Sequence, residues 1–154
     1  MSSHNRAEAL IDLSAIRANI ASLMTKSGKP ALAVVKADAY GHGLVPVARA
    51  AIEGGATWLG VALLEEALAL REAHVKAPII AWLTPVSDDF VAAIEKDIDI
   101  AIPSREHLQA VVAAAHDSKK VARVHLEMDS GMSRGGALLD WNELLVDAEN
   151  AQSS

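Results

Sequence analysis

The chain has 154 residues and a formal charge of −6, from twenty acidic side chains against fourteen basic ones, so it offers neither nucleic acid nor an anionic membrane a basic face. Hydrophobic residues make up 51% and aromatic residues 3%, which suits one α/β domain with a core of Ala, Val, Leu and Ile rather than rings. The absence of cysteine excludes disulfides, thiol nucleophiles and thiolate metal sites; with no long apolar run and no signal-peptide pattern in MSSHNRAEAL, a cytoplasmic protein without membrane contact is expected.

The elements read off in chain order as follows. AEALIDLSA from Ala7 suggests a short strand, and Ile16, Ile20, Leu23 and Met24 then recur at helical spacing until Ser27-Gly28-Lys29-Pro30 stops them. Ala31 to Lys36 reads as a strand, YGHG as a turn and LVPVARAAIEGG as a helix, with Pro46 in its first turn and Gly54-Gly55 as terminators. A strand from Trp58 and the helix LEEALALREA make the second unit. Pro78 to Leu83 is a third strand; Ser87 is expected to cap the helix DDFVAAIEKD, with Asp88 and Asp89 at its positive end. Asp99 to Ile102 is a fourth strand, Ser104 caps REHLQAVVAAAHDS, and VARVHLEMD from Val121 is a fifth; LDWNELLVDAENAQSS begins as a helix.

Strands alternating with helices of ten or more residues imply βαβ units and a parallel sheet, closed as a (β/α)8 barrel or left open and doubly wound. In the fifth strand Ala122, Val124, Leu126 and Met128 share one face, and Arg123, His125, Glu127 and Asp129 the other. A charged face on a parallel sheet belongs either to an edge strand or to the polar interior of a barrel. The acidic pairs Glu65-Glu66 and Asp88-Asp89 read as solvated helix faces, and the scattered histidines His4, His74, His107 and His116 give no support to a metal site.

Lys36 is the residue of greatest chemical interest. A lysine where a parallel strand ends stands where α/β folds put their ligands, and desolvation there makes its amine a nucleophile toward aldehydes. Gly41 and Gly43 let the backbone approach a ligand, and the phenol of Tyr40 can donate to an anion or stack on a planar ring. His42 reads as positional, and Asp129 and Ser130 as turn supports.

These residues carry a family resemblance. VVKADAYGHG resembles the lysine motif of the alanine racemases, which are fold-type III pyridoxal phosphate enzymes; HLEMDSGMSRGG resembles their downstream motif, and AEALIDLSAIRANI their opening. The resemblance implies a barrel of (β/α)8 type, present here as an incomplete barrel of about five strand-helix units over 15–154, with 1–14 as a strand that would pair with a mainly β domain beyond this sequence. It further implies pyridoxal 5′-phosphate held on Lys36 as a Schiff base and racemisation of L- and D-alanine for D-alanine supply to the cell wall, Lys36 being one of two proton-moving bases. Tyr40 would pack beside the cofactor. Arg134 would donate toward the cofactor's phenolic oxygen and lie near the substrate carboxylate. The family's second base is a tyrosine contributed across a homodimer, whereas Tyr40 is the sole tyrosine of this sequence. Glu127 stands where many members have a lysine that becomes carbamylated, and is expected to orient Arg134 by a charge-assisted hydrogen bond. A chain of this extent is expected to be weakly active or inactive alone and, with exposed strand edges, prone to associate. The alternatives are a non-catalytic pyridoxal phosphate carrier and an inert remnant.

Overall fold

The computed structural model of the protein describes residues 7–152. Residues 7–12 form no regular element and Leu10 is exposed, so no strand is seen in the described part of 1–14; residues 1–6 lie outside the described residues. A strand is stable only against a neighbour, and this segment has none alongside it. Instead Asp12 caps helix α1 (Leu13–Ser27), its Oδ1 accepting from the amides of Ser14 at 2.9 Å and Ala15 at 3.1 Å. Gly28 ends the helix with φ 64°, the left-handed stop that glycine tolerates.

Five strands follow: β1 (Leu32–Val34), β2 (Trp58–Val61), β3 (Ile79–Ala81), β4 (Asp99–Ile102) and β5 (Val124–Leu126). All pair in parallel in the order β1-β2-β3-β4-β5, so each pairs with its predecessor in sequence. The connections carry α2 (Lys36–Gly41), α3 (Leu44–Glu53), α4 (Leu64–Glu72), α5 (Phe90–Glu95) and α6 (Arg105–Ser118), and α7 (Trp141–Gln152) follows β5. Sequential parallel pairing with helical crossovers is the (β/α)-barrel pattern, present here as five units of an incomplete barrel. No described helix is long and apolar enough to cross a membrane.

Two caps illustrate how local chemistry set the boundaries. Ser104 caps α6 as expected, its hydroxyl accepting from the amide of His107. At α5 the cap is Asp89 rather than Ser87: its carboxylate accepts from Ala92 N at 2.9 Å, so the helix starts at Phe90. A carboxylate is as good a cap as a hydroxyl, and it lies next to the first apolar residue that packs inward.

The strands divide the sheet into two faces. Ala33, Val35, Leu59, Val61, Ile79, Ala81, Ile100 and Ile102 are buried beneath the helices in one continuous core with Leu64, Leu70, Phe90, Ile94, Leu108 and Val111. On the other, concave face stand Leu32, Val34, Trp58, Gly60, Ile80, Asp99, Ala101 and His125, by the register Leu32↔Trp58, Gly60↔Ile80, Ile80↔Asp99 and Ala101↔His125. A Cβ on Gly60 would come within 2.4 Å of the Trp82 ring and 2.7 Å of Leu32, so this glycine is what lets the tryptophan lie across the sheet.

Candidate active site

β1 ends one residue before Val35, and Lys36 opens α2 rather than closing the strand. α2 is unusual. Ala37, Asp38, Ala39 and Tyr40 have φ of 54°, 53°, 51° and 56°, a full turn of left-handed helix in residues that carry a Cβ. Each such residue costs about 1–2 kcal/mol relative to the right-handed form. Bonds to neighbouring groups offset this: Ala39 N donates to Val35 O at 2.9 Å, Gly43 N to Asp38 O at 2.9 Å, and Leu44 N to the Asp38 carboxylate at 2.6 Å. The turn carries Lys36, half-buried, with its Nζ 4.9 Å from the centroid of the Tyr40 ring, while that ring is 63% exposed. The two predicted residues of the lysine motif are thus brought together, amine over phenol ring, at the C-terminal mouth of the sheet.

A carboxylate that the sequence reading assigned to a solvated face also holds this turn. Glu66, half-buried near the start of α4, accepts from Ala37 N through Oε1 at 2.5 Å and from Ala62 N and Leu63 N through Oε2 at 3.0 Å each. Glu65 beside it is exposed as expected. The signal available in the sequence was the placement of Glu66 as the third residue of its helix, where a glutamate reaches back to the cap; that its other oxygen reaches β1's turn depends on the pairing of β1 with β2.

The downstream motif lies at the same end of the sheet, because the strands are parallel, but at the opposite edge, since β1 and β5 are the outermost strands. The loop between Met128 and Ala137 closes on itself as a parallel bridge, with Asp129 N donating to Ala137 O at 3.0 Å and Ala137 N to Glu127 O at 2.8 Å. The Asp129 carboxylate accepts from Gly131 N at 2.9 Å and Ser133 N at 3.0 Å, and these bonds hold it below the usual aspartate pKa. Asp129 therefore organises the turn, as the sequence suggested. Arg134 rides exposed on this loop, and the hydrogen bond expected between it and Glu127 is not formed among the described residues. Glu127 Oε1 instead stands 3.5 Å from where a Cβ of Gly135 would be, against the same loop.

The polar face of β5 has a second occupation, at the opposite end of the strands. Asp99, 2% exposed at the start of β4, receives Arg123 Nε at 2.9 Å and Nη2 at 2.8 Å on one oxygen and His125 Nε2 at 2.9 Å on the other. The His125 ring meets Trp58 edge-on, with centroids 5.7 Å apart. β5 is thus both an edge strand and one with a paired polar interior face, and this N-terminal clasp is where barrels keep stabilising rather than reacting groups. A cavity of about 830 Å³ also lies away from Lys36, in a mainly apolar groove between α6 and α7 over the outer side of β5.

Five units of a parallel (β/α) barrel, with an amine and a phenol at the mouth of the first strand and an arginine loop after the fifth, define a barrel class that receives its ligand at the C-terminal ends of the strands. Residues 11–153 match the model of the family described as alanine racemase, N-terminal domain, and the chain belongs to that family. It is 51% identical over 151 residues to an alanine racemase of Beutenbergia cavernae, covering 96% of this chain and 40% of that protein. To an alanine racemase of Frankia casuarinae it is 49% identical over 141 residues, covering 90% and 37%. The crystal structure of alanine racemase from D-cycloserine-producing Streptomyces lavendulae superposes with a TM-score of 0.91 at 46% identity, over 93% of this chain and 38% of that one. An alanine racemase of Bacillus anthracis, solved with bound L-Ala-P, superposes with a TM-score of 0.79 at 34% identity, over 92% and 37%. The chain spans about two-fifths of the length of these relatives.

Proposed function

We propose that this chain carries the cofactor-binding part of a pyridoxal phosphate-dependent alanine racemase, with Lys36 as the cofactor-holding amine and one proton-moving base, Tyr40 beside the cofactor and Arg134 toward its phenolic oxygen and the substrate carboxylate. The observation that carries the reading is the Lys36 amine, half-buried at the mouth of a parallel sheet and 4.9 Å over the Tyr40 ring. The donor set fits the group: a primary amine for an aldehyde, a phenol for a polar substituent or phosphate, and a guanidinium on the loop at the same end of the sheet. When bound, pyridoxal phosphate supplies the electron sink that lets the α-proton of an amino acid leave. The protein's own part is to present Lys36 Nζ where it takes and returns that proton, and to hold the carboxylate with Arg134, whose guanidinium stays charged and so acts electrostatically. Glu127 supports the Arg134 loop. The segment ahead of Asp12 would pair with a β domain supplied beyond this sequence, and the assembled enzyme would be a cytoplasmic homodimer with shared active sites.

A pyridoxal phosphate carrier without catalysis is the second reading, since the Lys36 amine over the Tyr40 ring would serve to hold the cofactor in either case. One experiment separates the readings. Purified protein incubated with pyridoxal phosphate and reduced with borohydride is expected to carry one adduct, mapped to Lys36 and lost in Lys36→Ala. A folded wild-type sample without that adduct overturns the cofactor reading. Interconversion of L- and D-alanine, by the chain alone or with a separately supplied carboxyl-terminal half of a racemase, supports the racemase, whereas an adduct without interconversion in both cases supports the carrier.

A further inference from the structure

We infer that Glu66 is a positioning residue for Lys36: its Oε1, bonded to the amide of Ala37, pins the left-handed turn that aims the amine, while its Oε2 performs the separate task of capping α4. The inference rests on the reading of Lys36 given above.

The geometry separates two jobs on one carboxylate. Oε2 accepts from Ala62 and Leu63, the residues leading into α4, and that is ordinary helix capping. Oε1 is not needed for the cap; it crosses to Ala37, the residue directly after the lysine and the first of four non-glycine residues in a row with positive φ. That amide begins the left-handed turn, and no helix precedes it to receive its proton. An ionised acceptor makes the bond about twice as strong as a neutral one. At the far end of the turn the Asp38 carboxylate accepts from Leu44 N at 2.6 Å, so the strained segment is clamped at entry and exit by two carboxylates. Glu66 reaches neither the Lys36 amine nor the Tyr40 ring, so its effect on chemistry runs through the backbone that sets the direction of Lys36.

Glu66→Gln tests this cleanly. A glutamine keeps one carbonyl oxygen for the cap and turns an NH2 toward Ala37 N–H, setting donor against donor. The variant is expected to melt close to the wild type. Its Ala37 amide should exchange with deuterium at least ~10-fold faster while the amides of the core strands do not change. With pyridoxal phosphate, the maximal rate of adduct formation at Lys36 should fall about 10-fold at unchanged half-saturating concentration, because binding is intact and only the approach of the amine is disturbed. Glu66→Ala, which also loses the cap, should show the same slowing with a lower melting temperature. Equal adduct rates and equal Ala37 exchange in wild type and Glu66→Gln would overturn the inference. A wild type that forms no adduct at Lys36 overturns the reading beneath it, and the inference with it, so the two failures are told apart by the unmutated protein.

Discussion

Asp88 shows how one carboxylate can be placed at a cost. Its Oδ2 is buried with no hydrogen-bond partner, and burial together with the negative charge of Glu65 pushes its pKa above the usual range, only partly countered by His107. Its proton is therefore held more tightly in the folded chain than in the unfolded one, where the pKa is about 3.9. Stability from this residue is full in acid below the unfolded value and is lost as pH rises through the folded one. Asp88→Asn is accordingly expected to raise the urea midpoint at pH 7, with the gain shrinking toward zero near pH 3; an equal gain at both pH values would contradict this account. Asp88 also marks a limit on what the sequence discloses. The pairing of Lys36 with Tyr40 was legible because the two stand in one short turn beside two glycines. Glu66 and Asp88 were not, since an acidic residue near a helix start is ordinarily solvated, and what changes its role is a neighbour brought in from another unit.

At the scale of elements, the five strands and their helices follow from the alternation of apolar runs, whereas right-handed crossovers leave a barrel and a doubly wound sheet both open and the family resemblance implied the sequential order. The left-handed turn of α2 could not be read in this way, because alanine, aspartate and tyrosine favour right-handed backbone and nothing local asks for the reverse. The loop after β5 is clearer in its demands. Gly136 has φ 92°, and a Cβ there would stand 2.7 Å from Asp129 N and 2.8 Å from the Met128 carbonyl carbon. Gly136→Ala should therefore open the bridge between Met128 and Ala137, at a cost of about 1–3 kcal/mol, and free the Arg134 loop. The expected readout is faster proteolysis between Asp129 and Ala137 with the sheet amides still protected; unchanged cleavage would show that the loop absorbs the side chain.

On the scale of the whole molecule, the sheet is open at both ends of its order. Leu32 and Val34 stand 44% exposed on the concave face of β1, and β5 has no strand on its outer side among the described residues. Parallel edges with apolar flanks are templates for further pairing. The purified chain is expected to sediment faster as its concentration rises, and Leu32→Lys, which adds a charge to that face, to reduce the effect. Concentration-independent sedimentation of the wild type would show that these edges are not sticky.

The mirror-handed backbone after Lys36 has a temporal consequence. A free peptide of this composition seldom winds in that sense, so the shape must be imposed by surroundings that assemble first: strand β2, the start of α4 and the carboxylate it brings. On the reading proposed for Lys36, its amine is therefore armed late. On that reading a nascent or misassembled polypeptide holds it as one lysine among several, no more attractive to passing aldehydes than its fellows, and aldehyde capture at this position would double as a report that maturation has been completed.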